Sequence, residues 1–367
     1  MMIPIPEPLK NTLTRPVSDR VLRLLVPLIV LFSLSVTLFS QARFAADTYV
    51  YNVTTFTSMA GGMDSYRRTL RQEWRPRLFT NWLAARFVRL DSSLPAKTVD
   101  AERACWKISA GPDPLFLNKE EYRSAVGRWV VFWFFLSGIV FIAMRLERAL
   151  LYLFGSYAAI SMAYSPGVAF PEIIQIYPWD MPAFFFFALF LFLVETKRWR
   201  HLFWMIPLAV GFKETAILLC IAFLFCNAKS WRHRILNFSV SLLLCLLVKA
   251  GIGLLTNPEQ FLFTMTSRER PDEPLRLGAN LFYILRYKWP ATPLLVNAGT
   301  LMALFLLPAL NRKVWMIKTI AFLFVGGIAV YGLINEFRIF FEMIPLALYG
   351  LDVWHLDLYK KRSLSAW

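Results

Sequence analysis

The chain has 367 residues, 57% of them hydrophobic and 16% aromatic, and a mean hydropathy of +0.49. A soluble domain of this length is nearer half apolar and lacks long apolar runs, so the composition excludes one and marks a polytopic membrane protein. The net charge of +16, from 40 Lys and Arg against 24 Asp and Glu, reads in such a chain as basic membrane-flanking loops rather than a nucleic-acid footprint.

The four cysteines, Cys105, Cys220, Cys226 and Cys245, force no pairing, since three of them fall in apolar runs. The three histidines, His201, His233 and His355, sit in basic loops or the tail, which speaks against an imidazole metal site.

A membrane span needs about 20 mainly apolar residues. After a basic N-terminal tail (1–21), the first span is expected over 22–40. It has the pattern of a signal peptide, but the many later spans favour a retained signal anchor. A long polar loop, 41–128, follows. Within it, RPRLFTNWLAARFVRL (75–90) spaces Phe79, Trp82, Leu83, Phe87 and Leu90 along one side, as expected of a helix lying in the membrane interface.

Further spans are expected over 129–144, 149–165 and 181–195. The apolar run 202–226 is then interrupted by Lys213-Glu214. As one crossing helix it would invert every later loop and turn the basic NRK (311–313) and the tail outward, against the positive-inside rule. A short hairpin that dips in and returns, with Lys213-Glu214 at its outer tip, removes the conflict. Irregular backbone at that depth is tolerated where it lines a cavity. Spans over 235–254, 292–310, 319–334 and 338–354 complete the chain, with a second outer loop at 255–291 and a basic tail at 355–367. The expected fold is therefore an all-α integral membrane domain, 22–354, with about eight full transmembrane helices, one helical hairpin and an interfacial helix in the first outer loop. Both chain ends are expected in the cytoplasm.

This topology brings ionisable residues together at the outer end of several connections. Asp47 and Asp64 follow the first span, Arg75 and Arg77 crowd the same loop, and Asp180 closes the third loop. Lys213 and Glu214 tip the hairpin, while Glu336 and Arg338 form the last outer turn. Arg338 and Glu342, four residues apart, would share one helix face. Taken singly, Asp180 before Met-Pro reads as a helix cap and Glu336-Arg338 as a surface pair. Lys213-Glu214 is harder to dismiss, because an ionisable pair within the membrane marks a functional site by default. Basic outer loops suit a phosphate-bearing lipid, arginine best because its fork is bidentate.

Four features resemble the GT-C superfamily of membrane glycosyltransferases. They are an acid with a nearby tyrosine after the first span (Asp47-Thr48-Tyr49, or Asp64-Ser65-Tyr66), the arginine-rich stretch Arg75-Pro76-Arg77-Leu78 followed by Trp82-Leu83-Ala84, the lysine-bearing tip Gly211-Phe212-Lys213-Glu214-Thr215, and Glu336-Phe337-Arg338 before the final span. The chain departs from the family in having Asp47 alone where two adjacent carboxylates are frequent, and in lacking a large soluble C-terminal domain. The resemblance implies a compact bacterial-type enzyme of the inner membrane. It would move a sugar from a polyprenyl-phosphate donor to an acceptor at the outer face, with inversion. A carboxylate takes the acceptor proton and cations stabilise the departing phosphate. Asp47, with Asp64 second, is then the base. Lys213, Arg338, Arg75 and Arg77 bind phosphate, and Glu214, Glu336 and Asp180 support them. No cofactor is required, although such carboxylates can hold a divalent cation. The rival expectations are a polymerase or ligase of lipid-linked glycans and a non-catalytic transport or assembly protein.

Overall fold

The structure, a computed structural model, describes residues 19–47, 78–89, 119–164, 178–226, 230–256, 312–331 and 341–365. All regular structure among the described residues is helical. In chain order it comprises α1 (Asp19–Asp47), α2 (Leu78–Arg89), α3 (Lys119–Met144), a 3₁₀ turn (Leu146–Arg148), α4 (Ala149–Ala163), α5 (Asp180–Glu195) and α6 (Trp199–Phe212). There follow a 3₁₀ segment (Glu214–Ile221), α7 (Ala222–Phe225), α8 (Trp231–Thr256), α9 (Arg312–Tyr331) and α10 (Met343–Ser365). Three stretches among the described residues are long and apolar enough to cross a membrane: Val21–Arg43, Arg123–Met144 and Trp231–Thr256. By contrast α4, α5 and α6, at 15, 16 and 14 residues, are about 21–24 Å long. The expected span 292–310 lies outside the described residues.

Several boundaries differ from the sequence expectation. Helix α3 begins at Lys119, not at 129. Ala125, Val126, Trp129, Val130 and Trp133 recur at helical spacing and are all buried, so the buried face reaches back into the polar loop. Helix α9 starts at Arg312 rather than at 319, because Val314, Met316, Ile317 and Ile320 already pack inward. Helix α10 runs to Ser365, through residues expected as a tail. No glycine or proline interrupts 351–365, so nothing in the backbone stops it.

Helices α1 and α3 lie antiparallel. A Cβ added at Gly127 would fall 2.7 Å from the Phe39 ring, and one at Gly138 would fall 2.3 Å from Leu31. The two bare helix positions let the backbones approach closely, which is how helices associate where lipid removes the hydrophobic drive. The core continues from Trp129, Phe134 and Phe141 of α3 to Phe184, Phe187 and Phe190 of α5, all buried. Trp129 Nε1 donates to the Pro178 carbonyl at 2.8 Å and so fixes the start of α5 beside α3.

The run 199–226 folds back on itself. Phe223 lies 6.4 Å from Trp199 and 6.0 Å from Phe203, ring to ring, although most of α6 and the whole 3₁₀ segment intervene. The reversal is at Lys213, whose extended backbone (φ −153°, ψ 130°) separates α6 from the 3₁₀ segment. Both hairpin feet therefore stand at the Glu195 end of α5, and the tip stands at the Asp180 end.

Candidate functional site

Three ionisable side chains meet at the hairpin tip. Lys213 Nζ lies 3.3 Å from Asp180 Oδ1, at the start of α5, and forms a second ion pair with Glu342 Oε1, just before α10. Asp180, Lys213 and Glu342 are 1%, 6% and 0% exposed. Buried carboxylates and ammonium groups persist only when paired, and the three arrive from three separate elements. An aromatic floor lies beneath them. The Phe212 ring sits 5.0 Å from Phe186 and 5.8 Å from Trp133. On the α4 side, Tyr164 is buried against Phe341 at 6.0 Å.

Helix α2 closes the tip from outside the hairpin. The Phe212 carbonyl, left without a helical partner where α6 ends, accepts a hydrogen bond from Thr80 Oγ1 at 2.9 Å. Gly211 makes room for it, since a Cβ there would lie 2.2 Å from the Phe79 ring. The docked face differs from the expected apolar stripe. Thr80, Asn81 and Ala84 are fully buried while Trp82 is 49% exposed. Close backbone approach selects the small and polar side, and the indole turns away from the bundle.

Of the expected site residues, the structure brings Asp180 and Lys213 together and adds Glu342. Glu214, expected to balance Lys213, opens the 3₁₀ segment and is half-buried. The lysine is held by two acids distant in sequence, Asp180 and Glu342. Glu342, expected to share a helix face with Arg338, pairs with Lys213. Asp180 is the first residue of α5 and not its cap, a position taken by Trp179. Asp47 is the last residue of α1, and its side chain lies outside the described residues, as do Asp64, Arg75, Arg77, Glu336 and Arg338. Among the described residues no group of three His, Cys, Asp or Glu side chains is placed to hold a metal ion.

A second ionic cluster stands at the opposite end of α5. Arg145 reaches Glu195 at 2.8 Å with one nitrogen and Asp352 at 2.9 Å with the other. Lys313 pairs with Glu195 at 2.6 Å and Arg148 with Asp352 at 3.6 Å. The Tyr349 hydroxyl donates to Glu195, and the Tyr152 hydroxyl donates to Asp352 at 3.1 Å. Burial works against the Arg145 charge, but Glu195 and Asp352 outweigh it and hold the guanidinium above its ordinary value. The sequence reading missed Glu195 and Asp352. The available signal was an acid at the end of an apolar run, Glu195 after FLFLV, and another beside apolar neighbours, Asp352 in GLDVW.

Comparison with protein-family models, with curated proteins and with solved structures finds no match.

Proposed function

We propose that the protein is a membrane glycosyltransferase that moves a sugar from a polyprenyl-phosphate-linked donor to an acceptor at the outer face of a bacterial cytoplasmic membrane. The observation that carries the reading is the buried meeting of Asp180, Lys213 and Glu342 at the tip of an interrupted helix pair. Ionisable groups at membrane depth are expensive and are kept where they act. Transfer to a hydroxyl needs a carboxylate near the acceptor proton and a cation near the leaving phosphate, and this end of the bundle supplies both types. In this reading Asp47, with Asp64 second, is the base, and Lys213 with Arg75, Arg77 and Arg338 meets the phosphate. Asp180, Glu214 and Glu342 keep Lys213 charged until the donor arrives. About eight spans cross the bilayer, the hairpin dips in and returns, and both termini are cytoplasmic. The gathering of Arg145, Arg148 and Lys313 at the far end supports that orientation.

The test is transfer from a synthetic polyprenyl-phosphate sugar by the full chain in liposomes. Asp47→Asn is expected to keep the chain folded and to slow transfer by about 10²–10⁴. Full activity of both Asp47→Asn and Asp64→Asn would remove the carboxylate mechanism.

One observation favours a second reading, proton- or cation-linked transport: two carboxylates share one lysine beside a broken helix. Uptake of a cation by sealed liposomes with no lipid-phosphate binding would select it.

A further inference from the structure

Cys220, Cys226 and Cys245 are free and buried. Two of them meet. Cys220 lies in the 3₁₀ arm of the hairpin and Cys245 lies midway along α8; both are 0% exposed, with their sulfurs 3.7 Å apart. Ser241, one turn before Cys245, brings its hydroxyl to 3.3 Å from the Cys220 sulfur. The contact between the arm and α8 is thus made at this level by three small polarisable or polar side chains in an otherwise apolar helix pair. Two sulfurs at 3.7 Å are already in van der Waals contact. Closing to a bond of about 2.05 Å asks each sulfur to move less than about 1 Å, within reach of side-chain rotation.

We propose that Cys220 and Cys245 form an oxidisable dithiol whose disulfide staples the second arm of the hairpin to α8. Each thiol gives up one proton and one electron, the two sulfurs bond, and a lipid-soluble quinone takes up both electrons and both protons to become the hydroquinone. The oxidant class follows from the surroundings. Water-borne oxidants need an accessible thiolate, and these thiols face no water. The side of α8 turned from the thiols carries Leu243, Leu246 and Leu247 at 56%, 38% and 57% exposure, so the medium beside the helix is apolar and an apolar oxidant is the class that meets the thiols when the arm and α8 part. Ser241 lends the sulfur a hydrogen-bond partner where water is absent. Cys220 follows Lys213 by about 14 Å along the 3₁₀ arm, so the staple fixes the arm on which the tip lysine stands. The meeting of the two thiols is the same under either functional reading.

The experiment uses the full chain carrying Cys105→Ser, reconstituted in liposomes and treated with a fully substituted benzoquinone, which cannot add to thiols. Denaturation, alkylation and peptide mass analysis follow. The expected result is joint loss of alkylation at Cys220 and Cys245, with one linked peptide lighter by two hydrogens. Reduction restores both sites, and Cys226 stays alkylatable throughout. The untreated chain should melt at a lower temperature than the oxidised one. Cys245→Ala should leave Cys220 alkylatable after the quinone. Retention of both thiols, a bond to Cys226, or a bond between chains would overturn the proposal. Oxidation by glutathione disulfide as fast as by the quinone would overturn the lipid-side route.

Discussion

Replacing Lys213 by methionine keeps nearly the same volume and removes only the charge. The ammonium is 3.3 Å from Asp180 and closer still to Glu342. At an effective dielectric of about 20, each contact is worth roughly 5 kcal/mol of Coulomb attraction. Most of that is offset by the cost of taking three charged groups out of water. What the substitution leaves behind decides the outcome: two buried carboxylates, mutually repulsive and without their cation. Breaking a buried pair from one side costs about 3–5 kcal/mol, and Lys213→Met is expected in that range. The assay is equilibrium unfolding in mixed micelles. The triple variant Asp180→Asn, Lys213→Met, Glu342→Gln should recover most of the loss, because it removes the stranded charges as well. Glu342→Gln alone should cost more than Glu214→Gln, since Glu342 is fully buried and Glu214 only partly so. A Lys213→Met protein within about 1 kcal/mol of the parent would show that the three groups do not hold one another, and the reasoning would fail.

Arg145→Lys keeps the charge but loses the fork whose two terminal nitrogens reach Glu195 and Asp352 separately. It should cost about 1.5–3 kcal/mol in the same unfolding assay, with no recovery by added salt because Asp352 is buried. Gly211→Ala drives a methyl into the Phe79 ring and should cost about 1–3 kcal/mol, with faster proteolysis at α2 as the local readout. Asp180→Asn combined with Glu195→Gln should loosen the axial position of α5, read as cross-links from α5 cysteines to more than one α3 position.

The helical class and the approximate positions of α1, α4 and α5 were legible because apolar runs of that length have few other readings. The beginnings of α3 and α9 were not. Lys119 to Arg128 and Arg312 to Lys318 are mixed in polarity, and only their periodicity reveals the buried face. At the site, Lys213 and Asp180 stood out singly, as charges beside apolar sequence. Their partnership did not, because the sequence offers Glu214 as the nearest acid while the fold supplies Glu342 from the far end of the chain. Glu195 and Asp352 were passed over for the same reason. Each looks like an ordinary acid near the end of an apolar stretch until Arg145 is found reaching both.

Helix α5 explains why the bundle keeps these charges. Its interior, Ala183 to Val194, is almost wholly phenylalanine, leucine and alanine. Such a surface buries well, but a slip of one turn along the axis, about 5.4 Å, would set similar side chains against the same neighbours. Apolar burial therefore holds the helix in the bundle without fixing its height. The ends fix it. Asp180 must meet Lys213 at one end while Glu195 meets Arg145 and Lys313 at the other, and a slip large enough to interchange phenylalanines breaks both sets. Helix α10 is tied in the same way, through Glu342 just before it and Asp352 within it. A buried ion pair adds little net stability over a well-packed apolar contact, and its gain is a unique register. For Lys213 the consequence is direct. The two carboxylates around it are borne by α5 and the start of α10, whose heights are set about 22 Å away along α5, so the tip keeps its geometry without contacts of its own to spare.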